Sequence, residues 1–304
     1  MNNVPKPKYI KTVDKISALY EGALKDLYNI LIKELALKGI NDPRVINQTK
    51  IIVQIEQRLL QLQNDVTPLT LQALREAYTQ GELDYVLGLY ESDSLDDAMK
   101  KVGHTIVDTK RVEALYSDTL REVLKATKNT AVNIKTLVRK TAQKVIQHRL
   151  AVSQNKREAM KQLYDELCKK GLSPKITDEG FVGIVDKSGR RWNLKTYSDM
   201  LINTKVQQAH VQATQEKSEE YGIDLAIISK HGAKDACRKF EGMVISLRGE
   251  TKGFPTYEEL RRTKQIFHPN CRHNVTPIRD YDKLSDKFKE SHKKAMKEYQ
   301  KYKK

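Results

Sequence analysis

The sequence predicts an α+β fold that is predominantly α: a helical N-terminal region, then a small α+β domain with short strands and a Cys/His loop cluster. Three observations lead there. Apolar residues recur at helical spacing through most of the first 170 positions. Beyond Gly171 the long periodic runs give way to short alternating ones bounded by Gly and Pro. The 304 residues also include only 8 Pro and 14 Gly, too few for an all-β chain or a long unstructured linker.

In the first helix, over 16–37, Ile16, Leu19, Tyr20, Ala23, Leu24, Leu27, Ile30, Leu31 and Leu35 share a side. Gly39 ends it. Asp42 before Pro43 caps a second helix, over 44–62, whose apolar side holds Ile51, Ile52, Ile55, Leu59 and Leu62. Thr67-Pro68 and Gly81 are expected to divide the next stretch into shorter pieces. An acidic segment over 82–97 leads into a long basic helical stretch over 95–170, with interruptions near Gly103 and Asn129. Past Gly171, 180–186 alternates, Lys187-Ser188-Gly189 turns, and 191–194 returns as a hairpin. A helix over 197–221 is closed by Gly222. Short strands over 224–229 and 242–247, a short helix over 256–263 and an extended run over 274–278 complete the domain. The final stretch, 283–304, sets nine Lys against Asp286, Glu290 and Glu298 and predicts a basic helical tail. The domain expectation is therefore 1–170, 171–282 and 283–304.

Charge speaks to partners. Lys and Arg number 55 against 39 Asp and Glu, a net charge of +16 and a pI near 9.5. Such a surface attracts phosphate backbones by releasing condensed counterions, without reading bases. The candidate nucleic-acid contacts are Lys128, Lys135, Arg139, Lys140, Lys144 and Arg149 on the basic stretch, and Lys293, Lys294 and Lys297 in the tail. The plainer alternative is a set of solvated helix faces. Three widely spaced cysteines, Cys168, Cys237 and Cys271, imply no disulfide framework and a reducing compartment. No apolar run approaches the ~18 residues of a membrane span, and the first eight residues lack an apolar signal core.

Between positions 231 and 273 the chemistry-bearing side chains gather. His231, Cys237, Cys271 and His273, with His268 as a substitute, could hold a structural zinc, which takes soft and borderline donors tetrahedrally. Five residues separate His231 from Cys237 and one separates Cys271 from His273, looser and tighter than the usual ligand pairs. The alternative is that both cysteines are small buried groups, with His268 and His273 bonding backbone around the Pro-Asn turn.

The run His268-Pro-Asn-Cys-Arg-His273, preceded by His231 and by Cys237 five residues before Gly242, resembles the signature of phage head-morphogenesis (Mu F-like) proteins, their minor capsid branch above all. Other elements match in order. A helical lead-in over 166–171 ends in Gly171. Gly189-Arg190 marks the hairpin, and a Tyr-led helix runs from Tyr197 to Thr204. Then come Gly222, Asp224, Leu225, Ser229 and His231, followed by Gly242 with Ser246 and by Phe254-Pro255-Thr256. The resemblance spans about 140–282. In one respect the chain departs from it: Lys234 stands where many relatives carry the first Cys of a C-x2-C pair, so any metal would need a His/Cys/Cys/His set. The resemblance implies a structural, non-enzymatic head component present in few copies, assembled in the host cytoplasm and carried in the virion. Portal or major capsid proteins and non-specific DNA would be its partners, with no membrane.

Two rival readings stand beside it. A metal-dependent nuclease could be imagined from His231, Asp235, Glu241, His268 and His273, but no helical His is expected after the strands and no carboxylate is suitably spaced. A DNA-binding regulator would need a recognition helix presented to a groove, and no helix-turn-helix pairing is evident. Trp192 is expected to plug the hairpin against the core, His104, His148 and His210 to be surface positions, and Tyr9, Tyr20 and Tyr28 to serve partner contacts or core.

Overall fold

The computed structural model describes residues 9–38, 48–88, 100, 102, 106–151, 184–185, 189–230 and 232–303. The elements are α1 (Tyr9–Lys38), α2 (Gln48–Gly88), α3 (Ile106–Ala151), β1 (Ile184–Val185), β2 (Arg191–Trp192), α4 (Leu194–Tyr221), β3 (Leu225–Ile228), a 3-10 turn (Ala236–Phe240), β4 (Val244–Ser246), α5 (Tyr257–Arg262), β5 (Val275–Pro277) and α6 (Asp286–Gln300). The fold is α+β and predominantly α, as the periodicity predicts. The compositional boundary at Gly171 lies outside the described residues. Two compact units form, each from separated stretches of chain: Met1–Val13, Thr70–Thr119 and Met200–Lys304 in the first, Asp14–Leu69 and Leu120–Asp199 in the second.

The second unit is built on three long helices. Ile16, Tyr20, Ala23 and Leu27 of α1, Ile51, Ile55, Leu59, Leu62 and Val66 of α2, and Val123, Ala126 and Ile134 of α3 are all buried. Their three- and four-residue spacing is the apolar stripe that makes each helix worth forming. Tyr20, expected either at partner contacts or in the core, takes the core: it is 1% exposed, and burial pushes its phenol up to about 12. Arg58 ties to Asp26 at 2.7 Å, and Lys135 to Glu56. Asn129 does not interrupt α3: it is exposed, and Thr127 and Thr130 beside it are buried, their hydroxyls satisfied by the Val123 and Ala126 carbonyls. In the β1–β2 hairpin, Trp192 is partly buried, with the Arg190 guanidinium 5.4 Å above its ring.

Pro68 and Gly81 do not break the chain into pieces either: α2 runs through both. Pro68 is exposed, and so is Asn64, the residue whose carbonyl a proline at this position leaves without its helical donor. Thr70, Ala73, Leu74, Ala77 and Tyr78 carry the buried stripe onward, so burial outweighs one missing bond.

In the first unit, β3 is the centre of an antiparallel sheet of order β4-β3-β5. Ala226 faces Ile245 on one side and Pro277 on the other. Pro277 is tolerated because β5 is an edge strand, where no donor is needed outward. The core beneath gathers Tyr85, Val211, Ala226, Ile228, Phe240, Met243, Ile245, Leu260 and Ile266. Helix α6 closes over it with Ala295 and Tyr299, and with His292, whose Nδ1 accepts from the Val244 N–H at 3.1 Å while its ring meets Phe254 and Tyr281.

Asp224, just before β3, organises the loop beyond β4. It accepts from Ser246 Oγ at 2.5 Å, the Arg248 N–H at 2.7 Å and the Thr251 N–H at 2.8 Å. Burial would raise its pKa, but these donors outweigh it and hold the carboxyl below its ordinary value. A carboxyl depressed in the fold contributes stability that is complete above its unfolded pKa, about 3.9, and is lost as pH falls through the folded value. Asp224→Asn is therefore expected to lose about 1–2 kcal/mol at neutral pH and to converge with the parent as pH falls below about 3.9. Denaturant melts across pH 2–7 (roughly, the span of the acid limb) check this, and parallel curves for the two proteins would contradict it.

Candidate metal centre

Two loops bring the Cys/His residues together. The first is the 3-10 turn, started by Asp235, whose Oδ1 accepts from the Cys237 N–H at 3.1 Å; Cys237 and Phe240 are its buried residues. The second follows α5, which opens on a reciprocal capping box between Thr256 and Glu259. It then turns through Lys264, Phe267 and Asn270, three non-glycine residues with positive φ. For Phe267 that conformation costs about 1–3 kcal/mol. The ring holds it there, 3% exposed and 4.5 Å from Tyr257. The strained path delivers His268 and Cys271 to the same place.

There, Cys237 Sγ lies 3.7 Å from Cys271 Sγ and 2.9 Å from His268 Nε2, and Cys271 Sγ lies 3.3 Å from His273 Nδ1. The donor atoms of Cys237, Cys271 and His273 all lie within 4.8 Å of one another and are buried; those of Asp235, Cys237 and His268 are as close to one another, but there Asp235 is exposed and His268 half-buried. His268 is a quarter exposed. Of the four residues expected from the sequence, Cys237, Cys271 and His273 thus converge, His231 lies outside the described residues, and His268 is the histidine found beside Cys237.

Cys237, Cys271 and His273 form a soft-donor triad that fits three corners of a tetrahedral site, and His268 reaches it through its contact with Cys237. Zinc bonds of about 2.3 Å to sulfur and 2.0–2.1 Å to nitrogen put ligand atoms roughly 3.3–3.8 Å apart. The sulfur pair and the Cys271–His273 pair already stand so, and the Cys237–His268 contact would open by about half an ångström to match. The two sulfurs are within hydrogen-bonding distance of each other. Their contact pushes the Cys237 thiol up and the Cys271 thiol down, the latter also drawn down by His273. For His273, burial works downward, but Cys271 and Glu241 together raise it.

The outer contacts were not legible as supports in the sequence. Glu241 Oε1 accepts from the Ala233 N–H at 3.0 Å and lies 3.3 Å from His273 Nε2. Gln207 of α4 donates to the His273 carbonyl at 3.1 Å, and Thr204 Oγ1 accepts from the Asn270 N–H at 3.0 Å. Their signal is only positional: Thr204, Gln207 and Val211 recur at helical spacing, which places them on one side of α4. Helix α6 carries a helical histidine after the strands, His292, contrary to the expectation of none. It stands apart from the cluster, with its ring nitrogen engaged by β4.

A family model described as phage minor capsid protein 2 matches residues 6–304. The chain belongs to that family. The match covers essentially the whole sequence and so extends well beyond the 140–282 resemblance. No curated protein and no solved structure matches the chain. Among the described residues of this minor capsid protein, no helix is long and apolar enough to cross a membrane.

Its candidate DNA contacts are mixed in placement. On α3, Lys128 is exposed and Lys135 pairs with Glu56, while the side chains of Arg139, Lys140, Lys144 and Arg149 lie outside those described. On α6, Lys293 and Lys297 are exposed, and Lys294 pairs with Glu290 at 2.7 Å. His210, expected at the surface, is fully buried with Nε2 2.9 Å from Asp84, because α4 is covered on nearly every side. His104 and the side chain of His148 lie outside those described.

Proposed function

We propose that this minor capsid protein is a structural, non-catalytic component of the phage head. It sits near the portal in few copies, contacts portal or shell proteins, and touches packaged DNA without reading its sequence. The family match over 6–304 carries the reading. The Cys/His cluster serves as a brace holding one structural zinc: its donors are mostly buried, as suits a closed four-ligand site rather than a catalytic one with an open position. Mass spectrometry of purified virions tests the placement. A few copies per portal ring support it, and absence from the particle overturns it. Plasmid nicking with magnesium, manganese or zinc that is abolished by His268→Ala would overturn the non-catalytic reading.

The charge supports the DNA contact. Lys287, Lys293 and Lys297 are exposed on α6 and, among the described residues, make no ion pair. Replacing all three with Gln is expected to flatten the dependence of log affinity on log salt by about 0.9 for each phosphate no longer neutralised. Fluorescence anisotropy on an arbitrary duplex measures it. Tight binding to one sequence alone would favour a regulatory protein instead.

A further inference from the structure

We propose that Glu241 is the positioning residue of the metal site, fixing which nitrogen of His273 faces the metal; this rests on the zinc reading. The two histidines approach the cluster by different atoms, His268 by Nε2 and His273 by Nδ1. A neutral imidazole offers a lone pair on one nitrogen only, so the proton on the other decides whether it can ligate. His268 is held by backbone: its Nδ1 lies 2.9 Å from the Pro269 carbonyl, a pure acceptor that keeps a proton on Nδ1, and its Nε2 is the nitrogen turned to Cys237 at 2.9 Å, with Asp235 Oδ2 at 3.5 Å beside it. His273 is settled by a side chain. Its Nε2 faces Glu241 Oε1 at 3.3 Å, and an ionised carboxylate only accepts, so Nε2–H donates and Nδ1, the nitrogen beside Cys271, is the one left to ligate.

Glu241 is itself held. It follows directly on the 3-10 turn that carries Cys237, is about a tenth exposed, and accepts from the Ala233 N–H at 3.0 Å with the same oxygen. One carboxylate therefore links the loop before Cys237 to the ring after Cys271. A carboxylate behind a ligating histidine orients the ring and raises its basicity, and its loss weakens metal affinity about 10–100-fold.

The test uses the full chain loaded with zinc, titrated against a chromophoric chelator, and loaded in parallel with cobalt. Glu241→Ala should still bind one metal but about 10–100-fold more weakly, with an altered visible cobalt spectrum. Glu241→Gln, which retains an acceptor oxygen, should recover most of that loss. A role limited to anchoring the Ala233 loop would lower the melting temperature of the metal-free protein and leave affinity and spectrum unchanged, overturning the proposal. So would a Gln variant as weak as the Ala variant. Failure of the zinc reading looks different: the unsubstituted protein would take up no metal, removing both claims together.

Discussion

Chelation of zinc from the purified protein is expected to lower its melting temperature by about 8–16 °C. The figure follows from mass action. A ligand at roughly a thousandfold above its dissociation constant adds about 4 kcal/mol to the folded state, and 1 kcal/mol moves the melting point of a 150–250-residue unit by about 2–4 °C. The reason to expect so much is local. The loop after α5 has no strand or helix between Thr263 and Asn274, and it carries Lys264, Phe267 and Asn270 in left-handed backbone. Without a metal it depends on the Phe267 ring, on Thr204 and Gln207, and on hydrogen bonds among the sulfurs and imidazoles. Cys237→Ser and Cys271→Ser should each abolish one-to-one zinc content and bring the melting point to that of the chelated parent. Elemental analysis and calorimetry read both. Protein without metal, melting identically with and without chelator, would leave the cysteines as ordinary small buried groups.

The second large effect is expected at Gly81. A Cβ built there would stand 2.3 Å from the His210 carbonyl oxygen and 2.9 Å from Ala213 Cβ. The backbones of α2 and α4 touch at this point, and their seam is stitched by Asp84 with His210. Gly81→Ala should gain about 1 kcal/mol of intrinsic helix stability. It should lose about 3 kcal/mol or more to overpacking, because the obstacle is backbone and cannot rotate away. The net result is destabilisation, read as a fall in the denaturant midpoint at unchanged slope. Gly22 of α1 supplies the opposite sign: nothing lies within 4 Å of its Cβ position, so Gly22→Ala should stabilise by up to about 1 kcal/mol. Equal effects at the two positions would contradict the packing account.

The contrast between those glycines shows where the sequence stops being readable. Both sit inside helices, and nothing local tells them apart. Gly81 reads as a break until α4 is seen against it. Pro68 reads the same way until its ring is seen to face solvent. The metal cluster shows a similar limit. Residue types and their order marked Cys237, Cys271 and His273, because soft donors in a loop-rich segment are unusual. They did not single out His268 as a neighbour of Cys237, since that depends on the path of the backbone through Phe267, and His231 lies outside the described residues. Nor did they raise Glu241 above other acidic residues, because a hydrogen bond between positions 241 and 273 has no signature in either neighbourhood.

By itself the sequence determined the local terms: apolar stripes at helical spacing, alternation in the short strands, a +16 charge, and the ordered motif that resembles the minor capsid family. These are properties of neighbouring residues, and a helix or strand keeps them wherever it packs. Only the tertiary structure decided that α2 continues through Pro68 and Gly81, that His210 is buried, and which side chains surround the thiols. Propensity differences of about 1 kcal/mol per residue are small beside the burial of a whole apolar face, and burial depends on residues far away in the chain.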